Sequence, residues 1–276
     1  MKDFRNKVVV ITGAGSGIGR ATALAFAREG AKLHVCDIDR GRIEEVAKEI
    51  RALGAEADAY VVDVSDRGAM ERFAAEVFAQ AGRVDILHNN AGIGIGAPVE
   101  KHTLEDWKKI IDVNLWGVIY GVHYFLPRMI TQGGGGHIVN TASGVGLCGL
   151  PGLAAYTTTK FAVVGLSETM SIELRKYDIG VTALCPGIIA TNITKDSKVE
   201  MYDPEGRSLQ AKVDQFYQKW GARPEAVAKD VLRAVRKRRP VMPSPLHAWP
   251  LWILKRVSVR GYQAVARTVG TKALGA

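Results

Sequence analysis

Tyr156 and Lys160 are spaced so that a helix would place both side chains on one face. A free phenol has a pKa of about 10 and is a poor base at neutral pH. A nearby ammonium favours the phenolate, so the pair could act in general acid–base catalysis. An isolated pair of this kind would be an exposed aromatic and a solvated lysine. Here Ser143 lies thirteen residues before Tyr156, and Asn114 lies further upstream.

A glycine-rich turn near the start of the chain indicates a nucleotide site. Gly13, Gly17 and Gly19 follow an apolar run, Val8 to Ile11, and precede a segment with helical spacing. Without side chains, such a turn lets the backbone approach a pyrophosphate at a helix N-terminus. Asp37 ends the second apolar run, where a carboxylate accepts hydrogen bonds from ribose hydroxyls and repels a 2′-phosphate.

Short apolar runs alternate with longer helical segments through most of the chain. This alternation predicts βαβ units and an α/β fold, a doubly wound parallel sheet of about seven strands with helices on both faces. A ligand of such a sheet binds at the carboxyl ends of the strands, where the candidate residues fall. We expect a single domain over residues 1–243, followed by a basic extension over residues 244–276. One long helix is predicted from Glu105 to Ile130.

The TGxxxGxG turn, the Asn89-Asn90-Ala91-Gly92 segment and the Asn-Ser-YxxxK set together resemble the short-chain dehydrogenase/reductase family, over about residues 6–242. The resemblance implies that Tyr156 is the general acid/base and that Lys160 lowers its pKa and holds the nicotinamide ribose. It also implies that Ser143 fixes the substrate oxygen, and that Asn114 holds water for a proton relay. The chain is therefore expected to be a nicotinamide-dependent alcohol dehydrogenase or ketone reductase.

The same resemblance implies a set of residues that would bind the cofactor. Asp63 and Val64 match the pair that contacts adenine, although Asp63 could instead cap the next helix. Pro186-Gly187 with Thr191 matches the segment over the nicotinamide. The implied cofactor residues are Gly13, Ser16, Gly17, Ile18, Gly19, Asp37, Ile38, Asp63, Val64, Asn90, Ala91, Gly92, Tyr156, Lys160, Pro186, Gly187, Ile189 and Thr191.

Asp37 favours NAD over NADP. An uncharged residue at Ser16 agrees, because relatives that prefer NADP often carry a basic residue there. Arg40 and Arg42 are the evidence against it, since either could reach a phosphate. An NADP(H)-dependent carbonyl reductase is therefore the first alternative. A nucleotide-binding sensor or scaffold with an idle site is the second, and the intact Asn-Ser-Tyr-Lys set argues against it.

Apolar residues near the site suggest a hydrophobic secondary alcohol or ketone as substrate. In the family the variable segment before the last large helix forms a lid, here residues 192–221. Its apolar members are Met201, Tyr202, Leu209, Phe216, Tyr217 and Trp220. The candidate substrate pocket consists of Val145, Leu147, Leu150 and Ile188, with Cys148 beside them.

Composition and residue spacing argue against secretion, a metal site and hydrolase activity. No signal peptide is expected, because charged residues interrupt the N-terminus, and three widely separated cysteines fit a reducing cytoplasm. The histidines have no metal-type spacing, so no metal is expected. Segment Thr141-Ala142-Ser143-Gly144-Val145 lacks the GxSxG pattern of a hydrolase.

The basic charge of the chain lies in its tail. Residues 231–276 hold ten Lys or Arg and no Asp or Glu, so removing them from the net charge of +9 leaves the first 230 residues at −1. Trp249, Trp252 and their apolar neighbours could anchor the tail on an anionic membrane. We favour packing at a subunit boundary or over the cleft, because family members are usually homodimers or homotetramers. Nucleic-acid binding is suggested by charge alone and is not expected.

Overall fold

The computed structural model describes residues 1–191, 193, 197–200, 206–245 and 249–274, with only the backbone described for 269–274. Seven parallel strands form one sheet in the order β3-β2-β1-β4-β6-β7-β9, which confirms the predicted fold class. The strands of this sheet are β1 Val8–Thr12, β2 Lys32–Asp37, β3 Ala57–Val61, β4 Ile86–Asn89, β6 Gly136–Thr141, β7 Ile179–Pro186 and β9 Val241–Ser244. A two-stranded sheet pairs β5 Ile95–Gly96 with β8 Lys198–Val199.

Helices cover both faces of the large sheet. They are α1 Gly17–Arg28, α2 Arg40–Ala52, α3 Arg67–Ala81, α4 Leu104–Ile111, α5 Gly117–Thr131, α6 Ala154–Glu173, α7 Gln210–Trp220, α8 Pro224–Lys237, α9 Trp249–Val257 and α10 Val259–Leu274. One apolar core joins α1, α2 and α8 to the sheet, and a second joins α3 and α5 to its other face. The central strands are buried on both sides, as continuous apolar runs in a parallel sheet require.

The sequence predicts one long helix from Glu105 to Ile130, but in the structure this segment is not one regular helix. A π-helical stretch, Asp112–Trp116, separates α4 from α5. A π-helical turn adds a residue to the helix and re-aims the side chains within it, and such turns are common at functional sites. Asn114 lies in this stretch and is fully buried. Helical periodicity shows only that the segment is helical and does not reveal one extra residue.

The tail forms two helices, α9 and α10, which pack on the body of the chain. Tyr262 and Ala266 of α10 are buried in an apolar cluster with Leu147, Val163 and Val164, and residues of α9 pack against it. Within the described residues, no helix is long and apolar enough to cross a membrane. The predicted lid falls partly outside the described residues, as do Met201 and Tyr202. Its described part contains β8 and α7.

Candidate active site

The glycine turn between β1 and α1 is built around a close backbone approach. Gly13 has a φ of +61°, and a Cβ there would lie 2.6 Å from the Cα of Ala91. The Asn90 side chain donates 3.0 Å hydrogen bonds to the carbonyl oxygens of Thr12 and Gly13. The backbone amides of Asn90 and Ala91 donate to the Thr12 hydroxyl. The Asn90-Ala91 segment therefore fixes the shape of the turn.

Ser16 precedes the first residue of α1 and makes no side-chain capping hydrogen bond. The first backbone amides of a helix have no partner within the helix, and together with the helix dipole they attract an anion. Gly17 starts the helix, and a Cβ there would lie 3.1 Å from the Thr191 side chain. The turn is therefore enclosed between the Ala91 segment and Thr191.

Asp37 lies at the carboxyl end of β2, beside the glycine turn. Its Oδ2 accepts a 2.9 Å hydrogen bond from the Gly15 amide, and its Oδ1 accepts one of 3.0 Å from the Asp39 amide. The two arginines nearby each have an acidic partner, since Arg40 pairs with Glu44 at 3.4 Å and Arg42 with Asp39 at 3.3 Å. The carboxylate is thus held in place by backbone amides.

A single cleft of about 700 Å³ runs along the carboxyl ends of the strands. It joins the glycine turn and Asp37 at one end to Ser143 and Tyr156 at the other. Most of the residues singled out from the sequence line it. These are Gly13, Ser16, Gly17, Ile18, Asp37, Ile38, Asp63, Val64, Asn90, Ala91, Gly92, Ser143, Val145, Leu150, Tyr156, Lys160, Pro186, Gly187, Ile188, Ile189 and Thr191.

Three of the singled-out residues do not line the cleft. Gly19 lies beneath the turn, where a Cβ would come within 2.2 Å of the Gly13 carbonyl oxygen. Asn114 is buried. Its side-chain oxygen accepts a 2.8 Å hydrogen bond from the Ile93 amide, and its side-chain nitrogen donates one of 2.9 Å to the Ile93 carbonyl oxygen. The sequence places Leu147 in the substrate pocket, but in the structure it is buried in the cluster beneath the tail and does not line the cleft. Gly19 and Asn114 thus lie against Gly13 and Ile93, which line the cleft.

Asp63 lines the cleft and does not cap α3. Its Oδ1 accepts hydrogen bonds from the backbone and the hydroxyl of Ser65, at 2.9 and 2.7 Å. Asp66 is the residue that caps the helix, by accepting from the Ala69 amide. The alternative of Asp63 as a helix cap is therefore wrong.

Tyr156 and Lys160 lie on one face of α6, as their spacing predicts. The Nζ of Lys160 is 5.5 Å from the centre of the Tyr156 ring and donates a 2.9 Å hydrogen bond to the Thr141 carbonyl oxygen. Burial lowers the pKa of Lys160 to about 8, although Cys185 acts in the opposite direction. The ammonium is therefore poised to lose its proton just above neutral pH.

Burial also raises the pKa of Tyr156, and Tyr217 adds to this effect. A hydrogen bond with the Ser143 side chain acts in the opposite direction but does not outweigh burial. The protein's own groups therefore favour the neutral phenol, whereas the sequence argument expects Lys160 together with the positive nicotinamide of an oxidised cofactor to favour the phenolate. The physical reason is that the phenol is desolvated, while the lysine is hydrogen-bonded to a carbonyl.

The end of the cleft beyond Ser143 and Tyr156 is apolar. The sequence did not single out several of its lining residues as part of the pocket. These include Ile93, Ile95, Leu153, Ile193, Val199, Val213 and Leu251. They come from five separate segments of the chain, so only the fold brings them together. The acidic and guanidinium groups that line the cleft, Asp37, Asp39, Arg42 and Asp63, belong to the opposite end.

Comparison with known proteins agrees with this geometry. The family model described as short chain dehydrogenase matches residues 7–201. "Probable oxidoreductase EphD" of Mycobacterium bovis is 39% identical over 267 residues, which cover 96% of this chain and 45% of that protein. The chain therefore spans less than half the length of that relative. The oxidoreductase SadH of Mycobacterium tuberculosis is 37% identical over 266 residues, with 95% of each chain covered.

A solved structure shows the same architecture. It is a short chain dehydrogenase/reductase from Burkholderia phymatum in complex with NAD, and it superposes on this chain with a TM-score of 0.86. The two sequences are 33% identical, and the match covers 94% of this chain and 96% of the other. The fold of this chain is thus one on which NAD is bound.

Proposed function

This chain belongs to the short-chain dehydrogenase/reductase family, and from this we propose that it transfers a hydride between NAD(H) and a hydrophobic secondary alcohol or ketone. The observation that carries the proposal is one continuous cleft. It joins a glycine turn and Asp37 to the Ser143, Tyr156 and Lys160 side chains. Nucleotide recognition and proton transfer would then take place at opposite ends of one bound cofactor.

The residues present fit a dinucleotide. The amides at the start of α1 would hold the pyrophosphate, and Asp63 with Val64 would hold the adenine. Lys160 would bind the nicotinamide ribose, and Pro186-Gly187 with Thr191 would face the carboxamide. When bound, the nicotinamide supplies the hydride donor or acceptor, and the protein supplies placement.

The carboxylate at the carboxyl end of β2 favours NAD over NADP. The Asp37 carboxylate, which is fixed by two backbone amides, would accept hydrogen bonds from the ribose hydroxyls and repel a 2′-phosphate. Arg40 and Arg42 are engaged with Glu44 and Asp39. The NAD complex of the Burkholderia relative also supports this choice. Arg42 borders the cleft, however, and that position keeps an NADP(H)-dependent carbonyl reductase as the second candidate.

Tyr156 would be the general acid in ketone reduction and the general base in alcohol oxidation. Its neutral phenol, stabilised by burial, is the form that donates a proton to the developing alkoxide. Ser143 would hold the substrate oxygen within reach of the phenol. The buried Lys160 would place positive charge beside the reacting oxygen, which stabilises the developing negative charge.

The apolar end of the cleft supports an apolar substrate. A ketone with an apolar substituent would place its oxygen at Ser143 and Tyr156 and its substituent among Ile95, Leu150 and Val213. Apolar walls exclude water from the reacting atoms and offer no partner to a charged substrate. We therefore propose a hydrophobic secondary alcohol or ketone as substrate, and a homodimer or homotetramer as the assembly.

A substrate screen tests the proposal. Purified protein is assayed with aliphatic, aryl and polycyclic ketones and the corresponding alcohols, with NAD(H) and NADP(H), by the absorbance of the reduced nicotinamide. We expect turnover of apolar ketones with a higher kcat/KM for NADH, and its loss in Tyr156→Phe. Absence of turnover across the panel, together with measurable NADH binding, would support an idle nucleotide-binding protein instead.

A further inference from the structure

The C-terminal helices lie against the substrate end of the cleft. Leu251 of α9 is one of the residues that line the cleft, next to the apolar pocket. Leu251, Trp252 and Leu254 pack on the cluster that contains Leu147 and Cys148. The indole nitrogen of Trp249 donates a 3.1 Å hydrogen bond to the Pro243 carbonyl oxygen, which fixes the start of α9 to β9.

Two polar contacts join the same helices to the segment that follows Ser143. The Nζ of Lys255 donates a 2.9 Å hydrogen bond to the Leu147 carbonyl oxygen. The hydroxyl of Tyr262 donates a hydrogen bond to the Gly149 carbonyl oxygen. Both acceptors lie between Val145 and Leu150, which line the pocket together with Cys148. The tail thus holds the backbone that carries the pocket wall.

The Lys255 side chain is suited to this bridging position. Its ammonium lies 4.3 Å from the centre of the Phe161 ring of α6 and 5.7 Å from that of Tyr262. An ammonium over aromatic rings is stabilised by their negative faces. Residues 231–276 contain no acidic residue, so the tail cannot offer Lys255 a side-chain carboxylate. A carbonyl oxygen and two aromatic rings contact its ammonium instead. This arrangement links α9, α10, α6 and the Ser143 segment at one point.

We infer that the tail is the outer wall of the substrate pocket, with Leu251 as a specificity-determining residue and Lys255 and Tyr262 as positioning residues. Leu251 would contact the part of the apolar substituent furthest from the reacting oxygen. Lys255 and Tyr262 would hold the Leu147–Leu150 segment where Val145 and Leu150 meet the substrate. The inference rests on the proposed function for the identity of the ligand, but the wall itself is a property of the chain.

Size selectivity tests the role of Leu251. A series of aryl ketones whose alkyl substituent grows by one methylene at a time is assayed with NADH. Leu251→Ala enlarges the pocket, so kcat/KM for the bulkiest ketones relative to the smallest should rise by about 10-fold or more, and Leu251→Trp should lower it, since a methylene is typically worth about 10–200-fold. Ile253→Ala, on the exposed side of α9, is the matched control and should leave the ratio unchanged.

The positioning role is tested by Lys255→Met and Tyr262→Phe. Each should raise KM for the ketone several-fold while the Kd for NADH, measured by fluorescence, stays constant. Lys255→Arg keeps a cation and a donor and should restore part of the loss. A purely structural role would instead lower the melting temperature and leave KM of the folded enzyme unchanged, and that result would overturn this part of the inference.

A measurement independent of turnover separates the wall from the reaction. The Cys148 thiol lines the cleft and is only 2% exposed, while Cys36 and Cys185 are fully buried. Labelling of Cys148 by N-ethylmaleimide, followed by mass spectrometry, should be several-fold faster in Leu251→Ala than in the parent or Ile253→Ala. If the parent reduces no ketone, the proposed function fails but this result still supports the wall. Equal labelling rates and an unchanged size ratio would disprove the wall.

Discussion

The Asn114 side chain is bonded on both sides to the backbone of one residue, Ile93. Its Oδ1 accepts from the Ile93 amide at 2.8 Å, and its Nδ2 donates to the Ile93 carbonyl oxygen at 2.9 Å. The neighbouring Gly92 lies against Asn114 and Lys160, since a Cβ there would be 3.2 Å from the Asn114 oxygen and 3.4 Å from the lysine Nζ. The π-helical stretch therefore fixes the segment that borders the Lys160 ammonium.

Asn114→Ala should lower both stability and activity. It leaves the Ile93 amide and carbonyl oxygen without their partner, and an unsatisfied buried group costs about 1–3 kcal/mol. We expect the melting temperature to fall by several degrees. Turnover should fall more than stability alone explains, because Gly92 and Lys160 lose their support. Glu105→Gln, an exposed change on α4, should alter neither. A fully active Asn114→Ala enzyme would contradict this role.

The two directions of the reaction should differ in their dependence on pH. Burial raises the pKa of Tyr156, so below that pKa the base form increases about tenfold per pH unit. Between pH 6 and 7.5, kcat/KM for alcohol oxidation should rise with pH, while ketone reduction stays nearly level. Tyr156→Phe should lower both by about 10²–10⁴-fold and remove the slope. A level oxidation profile in the parent enzyme would exclude Tyr156 as the base.

Removing the carboxylate of Asp37 should relax the choice of cofactor. Asp37→Asn keeps a polar side chain beside the Gly15 amide but loses the charge that would repel a 2′-phosphate. The ratio of kcat/KM for NADH to that for NADPH should fall by at least about tenfold, a change of roughly 1.4 kcal/mol. Asp58→Asn, on β3 and exposed, removes the same charge away from the cleft and should leave the ratio unchanged. A parent enzyme that prefers NADPH would refute the assignment.

Replacing the buried Lys160 should stabilise the fold while abolishing turnover. Its pKa is about 8 in the folded chain and 10.5 as the ordinary value, so the unfolded chain binds more protons between these pH values. The cost of the buried charge is therefore full below pH 8 and is relieved as pH rises to 10.5. The melting-temperature difference between Lys160→Met and the parent should shrink from pH 7 to pH 10. A difference that does not change over this range would contradict the lowered pKa.

Lys198 forms ion pairs with Asp106 and Glu200 near the start of the lid. The Nζ of Lys198, the first residue of β8, donates to the buried Asp106 carboxylate at 3.1 and 3.2 Å. Burial raises the pKa of Asp106, but hydrogen bonds from Lys198 and Thr103 lower it by more, so the carboxylate stays ionised at neutral pH. Asp106 also completes the N-terminal capping box of α4 with Thr103.

Lys198→Met should loosen the lid without disturbing α4. We expect KM for the ketone to rise several-fold with a small change in melting temperature, because only the β8 attachment is weakened. Lys109→Met, an exposed change on α4, provides the control. Steady-state kinetics that are identical in the two variants would show that the ion pair does not govern the lid.

The sequence by itself determined the sheet, its helices and the position of the reactive residues. Those features depend on local patterns: apolar runs that end in glycine or aspartate, and a four-residue spacing from Tyr156 to Lys160 on one helix. Motifs at the ends of parallel strands meet at one edge because the strands are parallel, so the cleft was predictable as well.

Only the tertiary structure decided what surrounds the reactive residues. No periodic signal in the sequence reveals the extra residue of the π-helical stretch at Asn114. None reveals that Leu147 is buried beneath the tail. Lys255 and Leu147 are 108 residues apart, and Asp106 and Lys198 are 92 apart. Such contacts depend on how packed layers meet rather than on propensity or spacing. The charge and the apolar residues of the tail were evident in the sequence, but the surface against which they pack was decided by the fold.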